Sequence, residues 1–257
     1  MREYMIFFIF RLYKMGDIHF VSFGGPSVDY HNALQRVCKE AKQIGIFTKI
    51  LGYTDIYLKN DIDFWNEHSD FITKNSRGYG YWLWKSYIIK KLLSTINDGD
   101  IIVYADAGCM INIQGKPRLM EYIEMCKTHE SGIVSFQMHF LEEHWTKGDI
   151  SEYLGTSQSD LSSGQLVGGV FLIRKCEGAV NLVNKWYEIS SMYKLINDSP
   201  SISSNHPEFQ ENRHDQSIWS ILRKQYGSLV LPDETYFLNW YRDGSRYPIW
   251  ATRRRQG

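Results

Sequence analysis

The sequence predicts a single α/β domain whose mixed, mostly parallel sheet is flanked by helices. Three observations carry that prediction. Strand-like and helix-like segments alternate from Asp17 onward, beginning strand–helix–strand. Ile101 to Ala105 is apolar without a break, as in a strand buried on both faces. The chain has 257 residues, 43% hydrophobic and 23% charged, which suits one well-cored domain rather than a disordered one.

The elements follow in order. Ile18 to Phe23 reads as a buried strand, stopped by Gly24-Gly25-Pro26. From Tyr30 to Ile44, Ala33, Leu34, Val37, Ala41 and Ile44 recur at helical spacing, and Gly45 suits the cap. Phe47 to Leu51 is the second strand, so right-handed parallel crossovers are expected. Tyr53 to Ser76 reads as loops with one short helix, and a clear helix then runs to Ile96. After the strand Ile101–Ala105, residues 119–127 read as helix and Gly132 to Met138 as strand. Leu141 to Asp160 is a polar, functional loop. Leu166 to Ile173 is a strand with a break at Gly168-Gly169. Glu177 to Tyr193 is an amphipathic helix, and a second helix opens at His214-Asp215-Gln216 and ends near Gln225. Leu229 to Leu231 is a short strand before an aromatic, then basic, tail.

Composition excludes several function classes. Lys+Arg 29 balance Asp+Glu 29, so no basic face for nucleic acid is indicated. Cys38, Cys109, Cys126 and Cys176 form no CxxC pair, which points to a reducing, cytoplasmic compartment. Met5 to Phe10 is too short to span a bilayer, so no transmembrane segment is expected. Residues 1–16 are read as an N-terminal extension, with Met15 a candidate start, and the domain as 17–257. No GxGxxG, GxxxxGK[ST], GxSxG or HExxH appears.

Several residues are placed to carry chemistry. Asp106 ends the buried strand, where open α/β sheets bind ligands, and Ala107-Gly108 lets backbone come close. Its hard oxygens suit Mg²⁺ or Mn²⁺ carrying a diphosphate, though an aspartate in a strand-to-loop turn has the same pattern. Lys85 projects onto the apolar stripe of Ile88, Ile89, Leu92 and Ile96, at about 100° per residue. An inward lysine needs a counter-charge, either an anionic ligand at the helix start or a buried carboxylate. Arg77-Gly78-Tyr79-Gly80-Tyr81-Trp82 suggests a tight loop with stacking rings, or simply core aromatics at a turn. His214 suits a metal ligand, and Asp215 a sugar contact or a helix cap. Gln165, Gly168 and Gly169 lie where a strand can brush a small ligand, and Arg253, Arg254 and Arg255 form a loose basic tail able to fold over phosphates.

Together these stretches resemble a nucleotide-sugar glycosyltransferase of the GT-A fold. The resemblance is carried by Lys85 after the aromatic–glycine turn, by Tyr104-Ala105-Asp106-Ala107-Gly108, by Gly168-Gly169-Val170-Phe171-Leu172-Ile173-Arg174 and by His214-Asp215-Gln216-Ser217. It is similar to families that build bacterial surface polysaccharides and the glycans of large DNA viruses. The resemblance implies transfer of a hexose from a nucleoside-diphosphate sugar, a UDP-sugar by preference, to a glycan hydroxyl. It implies nucleotide binding in residues 17–110 and acceptor binding with donor completion in 111–257. Asp106 then matches the first acid of the DxD motif, and Asp106 with His214 holds Mn²⁺ or Mg²⁺. Asp106, Asp215 and Gln165 become the catalytic candidates. Lys85, Tyr79, Asp106, Gly168, Gly169, Gln216, Arg253 and Arg254 become the donor-binding ones. Glu142, Glu143, Asp160 and Asp215 are candidate bases, and the resemblance leans toward retention. The sequence departs from the pattern at Gly108, where the second acid of DxD belongs. Either His214 and water complete a metal site, or Lys85 and the tail arginines neutralise the diphosphate. A nucleotidyltransferase and a non-catalytic glycan-binding protein are the other classes this architecture allows.

Overall fold

A computed structural model describes residues 16–255. Nearly all of the expected N-terminal extension, residues 1–15, lies outside them. The strands are β1 (Ile18–Gly24), β2 (Lys49–Thr54), β3 (Ile101–Ala105), β4 (Met110–Ile111), β5 (Ile133–Leu141), β6 (Gly164–Leu166), β7 (Val170–Arg174), β8 (Leu229–Pro232) and β9 (Ile249–Trp250). Seven of them form one sheet in the order β2-β1-β3-β7-β5-β6, with β8 also on β5. β1, β2, β3, β5 and β8 run in one sense; β6 and β7 run in the other. The sheet is therefore mixed and mostly parallel, as expected. The reversed β7 beside β3 is what the simple parallel expectation for the opening half did not contain.

Each face of the sheet carries its own core. Along β3, Ile102 and Tyr104 belong to one core, and Ile101, Val103 and Ala105 to the other. This period-2 alternation places Asp106 on the same face as Tyr104. That face is covered by the helices Leu83–Thr95, Glu177–Ser190 and Asp215–Tyr226. The other face is covered by Val28–Ile44 and Lys116–Thr128. The helix Val28–Ile44 buries Ala33, Leu34, Val37, Ala41 and Ile44, the stripe read from the sequence. Ser27 caps it by accepting the Tyr30 N–H at 3.3 Å. Among the described residues no helix is long and apolar enough to cross a membrane.

Three segments differ from the sequence reading. Residues 55–74 form two helices, Asp55–Asn60 and Ile62–Lys74, rather than loops with one short helix. The missed signal is His68: it is buried with Phe64, Phe71 and Ile72 on one face and bonds Tyr187 and Tyr193 hydroxyls at 2.8 and 2.9 Å. The single strand expected over Leu166–Ile173 is two strands, β6 and β7, separated at 167–169 and both antiparallel to β5. The polar stretch 141–160 contains three short helices, Glu142–Trp145, Gly148–Tyr153 and Gln158–Leu161.

The turn before Lys85 has the opposite hand to every helix around it. Gly78, Tyr79, Gly80, Tyr81 and Trp82 have φ of 58°, 55°, 81°, 53° and 61°. Tyr81 N–H bonds the Arg77 carbonyl and Trp82 N–H that of Gly78, so this is one left-handed helical turn. Side chains at 78 and 80 are excluded: a Cβ at Gly78 falls 2.4 Å from the Trp82 ring and one at Gly80 falls 2.7 Å from Ile72. The Trp82 carbonyl then accepts the Lys85 N–H at 2.9 Å, starting the right-handed helix Leu83–Thr95.

Candidate active site

At the carboxyl end of β3, Lys85 joins two aspartates from distant parts of the chain. Its Nζ is 3.2 Å from Asp106 Oδ1 and 3.1 Å from Asp215 Oδ2. It also donates to the Gly168 carbonyl at 3.1 Å. An ammonium has three N–H groups, and three protein oxygens surround this one. Of the two counter-charges open to Lys85, the described state holds carboxylates. Lys85 is 3% exposed and the Asp215 side chain 5%, whereas the Asp106 side chain is 41% exposed. The cluster meets solvent through Asp106.

Electrostatics follow from that burial. Desolvation pushes the Asp215 carboxyl up to about 6; Lys85 opposes the shift and the neighbouring Asp106 charge adds to it. Burial also works against the Lys85 charge, but Asp106 and Asp215 outweigh it and hold the lysine above its ordinary value. Tyr104, behind Asp106, donates its hydroxyl to Asp106 Oδ1 at 2.7 Å. Its own titration is driven far upward by burial, so it stays a donor.

The wall opposite is backbone and amide. Asp106 N–H donates to the Gly169 carbonyl at 2.8 Å, and a Cβ at Gly169 would sit 2.7 Å from Asp106 Oδ2. Only glycine lets β7 approach the carboxylate this closely. Gly168 N–H donates to Gln216 Oε1 at 2.8 Å, and Gln216 Nε2 donates to Gln165 Oε1 at 2.6 Å. Gln165 in turn donates to Glu142 Oε1 at 2.7 Å. Gln165 is 1% exposed and Glu142 0%, so both stand behind Gln216 rather than in the crevice. Glu142 is also held by Thr146, Ser220 and Lys224.

Other candidates lie apart from this cluster. Tyr79 stacks on Phe23, at the end of β1, with ring centroids 6.5 Å apart. Its hydroxyl is buried and has no protein partner. His214 is 2% exposed, its Nδ1 lies 2.7 Å from the Ile196 carbonyl, and its ring stacks on Trp82 at 5.4 Å. Its Nε2 faces Asp198, 3.6 Å away, and burial lowers its pKa. Its neighbour Asp215 joins Lys85; His214 itself turns toward the aromatic turn.

The tail is tied down rather than loose. Arg254 N–H and Thr252 Oγ1 donate to the Gly108 carbonyl at 2.9 and 3.0 Å. Arg36, which the sequence gave no reason to select, binds the Ala107, Cys109 and Arg254 carbonyls at 3.0, 2.9 and 3.1 Å. Arg213 is a second unforeseen residue. It lies 4.0 Å over the Trp145 ring, and burial lowers its pKa, with Arg253 and Arg77 adding like-charge repulsion. Its only sequence signal was its place before His214-Asp215.

The donor set does not fit a divalent ion held jointly by Asp106 and His214. Asp106 Oδ1 is shared by a phenol and an ammonium, position 108 offers no oxygen side chain, and His214 is engaged elsewhere. Among the described residues, the groups of three possible ligands are Glu143–His144–His206 and Asp17–His19–Asp100, and neither includes Asp106.

No protein-family model and no curated protein matches the sequence. Among solved structures, a glycosyltransferase involved in the glycosylation of the major capsid of PBCV-1 superposes with a TM-score of 0.50 at 9% identity, covering 91% of this chain and 91% of that chain. Apo mouse xyloside xylosyltransferase 1 aligns with a TM-score of 0.49 at 9% identity, covering 91% of this chain and 97% of that one. The shared fold is read from the first of these. The chain therefore shares the fold of that structure, the GT-A type that the resemblance implied.

Proposed function

We propose that this protein transfers a hexose from a nucleoside-diphosphate sugar, a UDP-sugar by preference, to a hydroxyl of a glycan acceptor. The observation that carries the reading is the Lys85–Asp106–Asp215 cluster, open to solvent through Asp106 at the carboxyl end of β3. Open α/β sheets bind ligands at this edge. In this reading residues 17–110 hold the nucleotide and 111–257 complete the donor site and receive the acceptor. Asp106 accepts hydrogen bonds from the donor, a role its exposed carboxylate suits. Lys85 fixes the angle of both aspartates. Gly168 and Gly169 give the sugar backbone to lie against, and Gln216, braced by Gln165, reaches its hydroxyls. Tyr79, half-buried beside Phe23, offers a ring face to the base. Asp215, partly protonated near neutrality, is the candidate group beside the reacting carbon.

The test is incubation with a panel of UDP-, GDP- and TDP-sugars, with and without Mn²⁺. Slow release of free sugar from one donor, lost in Asp106→Ala, is the expected result. Turnover that instead requires pyrophosphate makes the protein a nucleotidyltransferase. Silence with every donor, with no thermal shift by any of them, sinks the reading and leaves a glycan-binding protein.

A further inference from the structure

Outside the Lys85 cluster, two glutamates and two histidines meet where the short helix Glu142–Trp145 packs against the chain at 203–210. One carboxylate oxygen of Glu143 and one ring nitrogen each of His144 and His206 lie within 4.8 Å of one another. His206 Nε2 is 3.8 Å from Glu143 Oε2, and Glu208 Oε2 is 3.0 Å from His144 Nε2. We propose that this cluster binds one Zn²⁺ through Glu143, His144 and His206, with the Glu208 carboxylate beside it balancing the second charge. The site involves neither Asp106 nor a sugar donor and does not depend on the nucleotide-sugar reading.

Charge and burial favour a cation here. Glu143 is 9% exposed, and its carboxylate meets Gln158 Nε2 at 3.1 Å and the His206 ring. The Glu208 carboxylate pairs with His144. Among the described residues no lysine or arginine reaches either carboxylate, so both face imidazoles. A buried carboxylate needs a cation, and an imidazole is not a permanent one. A divalent ion supplies both charges at once. Two imidazole nitrogens with a carboxylate oxygen form a zinc donor set, whereas Mg²⁺ and Ca²⁺ select oxygen ligands.

The geometry is close to what zinc needs. Its bonds to such atoms are about 2.0–2.2 Å, which sets tetrahedral ligand atoms roughly 3.3 Å apart. Atoms within 4.8 Å of one another reach that spacing by closing at most about 1.5 Å, which side-chain rotation covers. The backbone that carries the ligands is already tied. Gln210 N–H donates to the His144 carbonyl at 2.8 Å, and Gly148 N–H donates to Asn205 Oδ1 at 2.7 Å. A cavity of about 200 Å³, lined in part by Glu143, Gln158, Asn205 and His206, opens beside the cluster. It has room for the water or ligand atom of a fourth coordination position. One contact is given up on binding: His206 Nδ1 accepts the Glu208 N–H at 3.2 Å, and metal at Nε2 moves the ring proton to Nδ1.

Isothermal titration of the metal-stripped full chain with Zn²⁺, Mn²⁺ and Mg²⁺ tests this. Zn²⁺ is expected to bind at micromolar affinity or tighter, about tenfold or more above Mn²⁺, with no heat from Mg²⁺. Zn²⁺ should also raise the melting temperature by several degrees. His144→Ala and His206→Ala should each weaken Zn²⁺ at least about tenfold and remove that rise. Both rings are partly exposed, so without metal these variants should melt with the parent. Should either fail to fold, Glu208→Gln, at an exposed position, reads the same site and should weaken Zn²⁺ about tenfold. Mg²⁺ binding as tight as Zn²⁺ overturns the proposal, because carboxylates alone then hold the ion. Absence of Zn²⁺ binding below about 100 μM overturns it too. Zn²⁺ affinity unchanged in the variants does the same, since the ion then sits on other residues. Donor turnover tests the transferase reading separately, and none of these results decides it.

Discussion

The two ends of β3 each carry an aspartate, and the two behave in opposite ways. Asp100 precedes the strand. It is 3% exposed and accepts the backbone N–H of Asp17 at 2.7 Å and of Asn97 at 2.9 Å, with His19 Nε2 at 3.4 Å. Burial opposes its charge, but those donors outweigh burial and lower its pKa. Asp106 follows the strand, is 41% exposed on its side chain, and shares its charge with Tyr104 and Lys85. One end is closed by backbone donors that tie loops together. The other is open, lined by glycine, and carries a second carboxylate with a raised pKa. The residue type is the same; what separates a staple from a site is which donors reach it and whether solvent does.

The largest effect that would sharpen this contrast is on stability, at Lys85. Lys85→Met leaves Asp106 and Asp215 facing each other without a cation, and should cost about 3–5 kcal/mol in urea denaturation. A cost near that of a surface ion pair, below about 1 kcal/mol, would mean the cluster is not held by charge. Next is Asp106→Ala. Donor turnover should fall about a hundredfold or more, with the melting temperature nearly unchanged. Asp100→Asn should do the reverse: a loss of roughly 2 kcal/mol in stability with donor affinity retained. If both aspartate variants lose the same property, the distinction between the two ends disappears.

The smallest effect is in pH dependence, and its sign differs between the ends. Asp215 titrates at about 6 in the fold, above the ordinary 3.8, so the folded state holds a proton the unfolded chain has released. Its contribution to stability is therefore lost as pH rises from about 4 to about 6. Asp100 has a lowered pKa, so its contribution is present above the ordinary carboxylate range and is lost on acidification. Comparing wild type with Asp215→Asn by denaturation across that interval should show the wild type losing on the order of 1 kcal/mol relative to the variant as pH rises. A flat difference would remove the buried-carboxyl account of Asp215.

Much of this was legible because it follows from periodicity. The buried stripe of Val28–Ile44, the inward aim of Lys85 and the position of Asp106 all come from counting residues along a helix or a strand. The ordering role of Gly169 was visible as a break but not as a contact, because its need is set by Asp106, 63 positions away in the chain. Helix Ile62–Lys74 was hidden because His68 reads as polar until two tyrosines from a distant helix region satisfy it. Arg36 and Arg213 were invisible for the same reason: each acts on backbone or rings that only folding brings near. The tail read as solvated charge because nothing local announces the carbonyls that hold it.

The left-handed turn at Gly78–Trp82 has a consequence for how this protein tolerates change. Three of its five residues bear side chains in a conformation that costs L-amino acids about 1–2 kcal/mol each. The first turn of the following helix takes its orientation from that coil. Should the coil relax to the common hand, the helix start would rotate and swing the ammonium out from between its carboxylates. The charge network would then fail, and Tyr81, Leu83 and Trp84, which belong to one of the two cores, would move with it. Damage at this one turn should thus cost the charge cluster and the packing on that face of the sheet together.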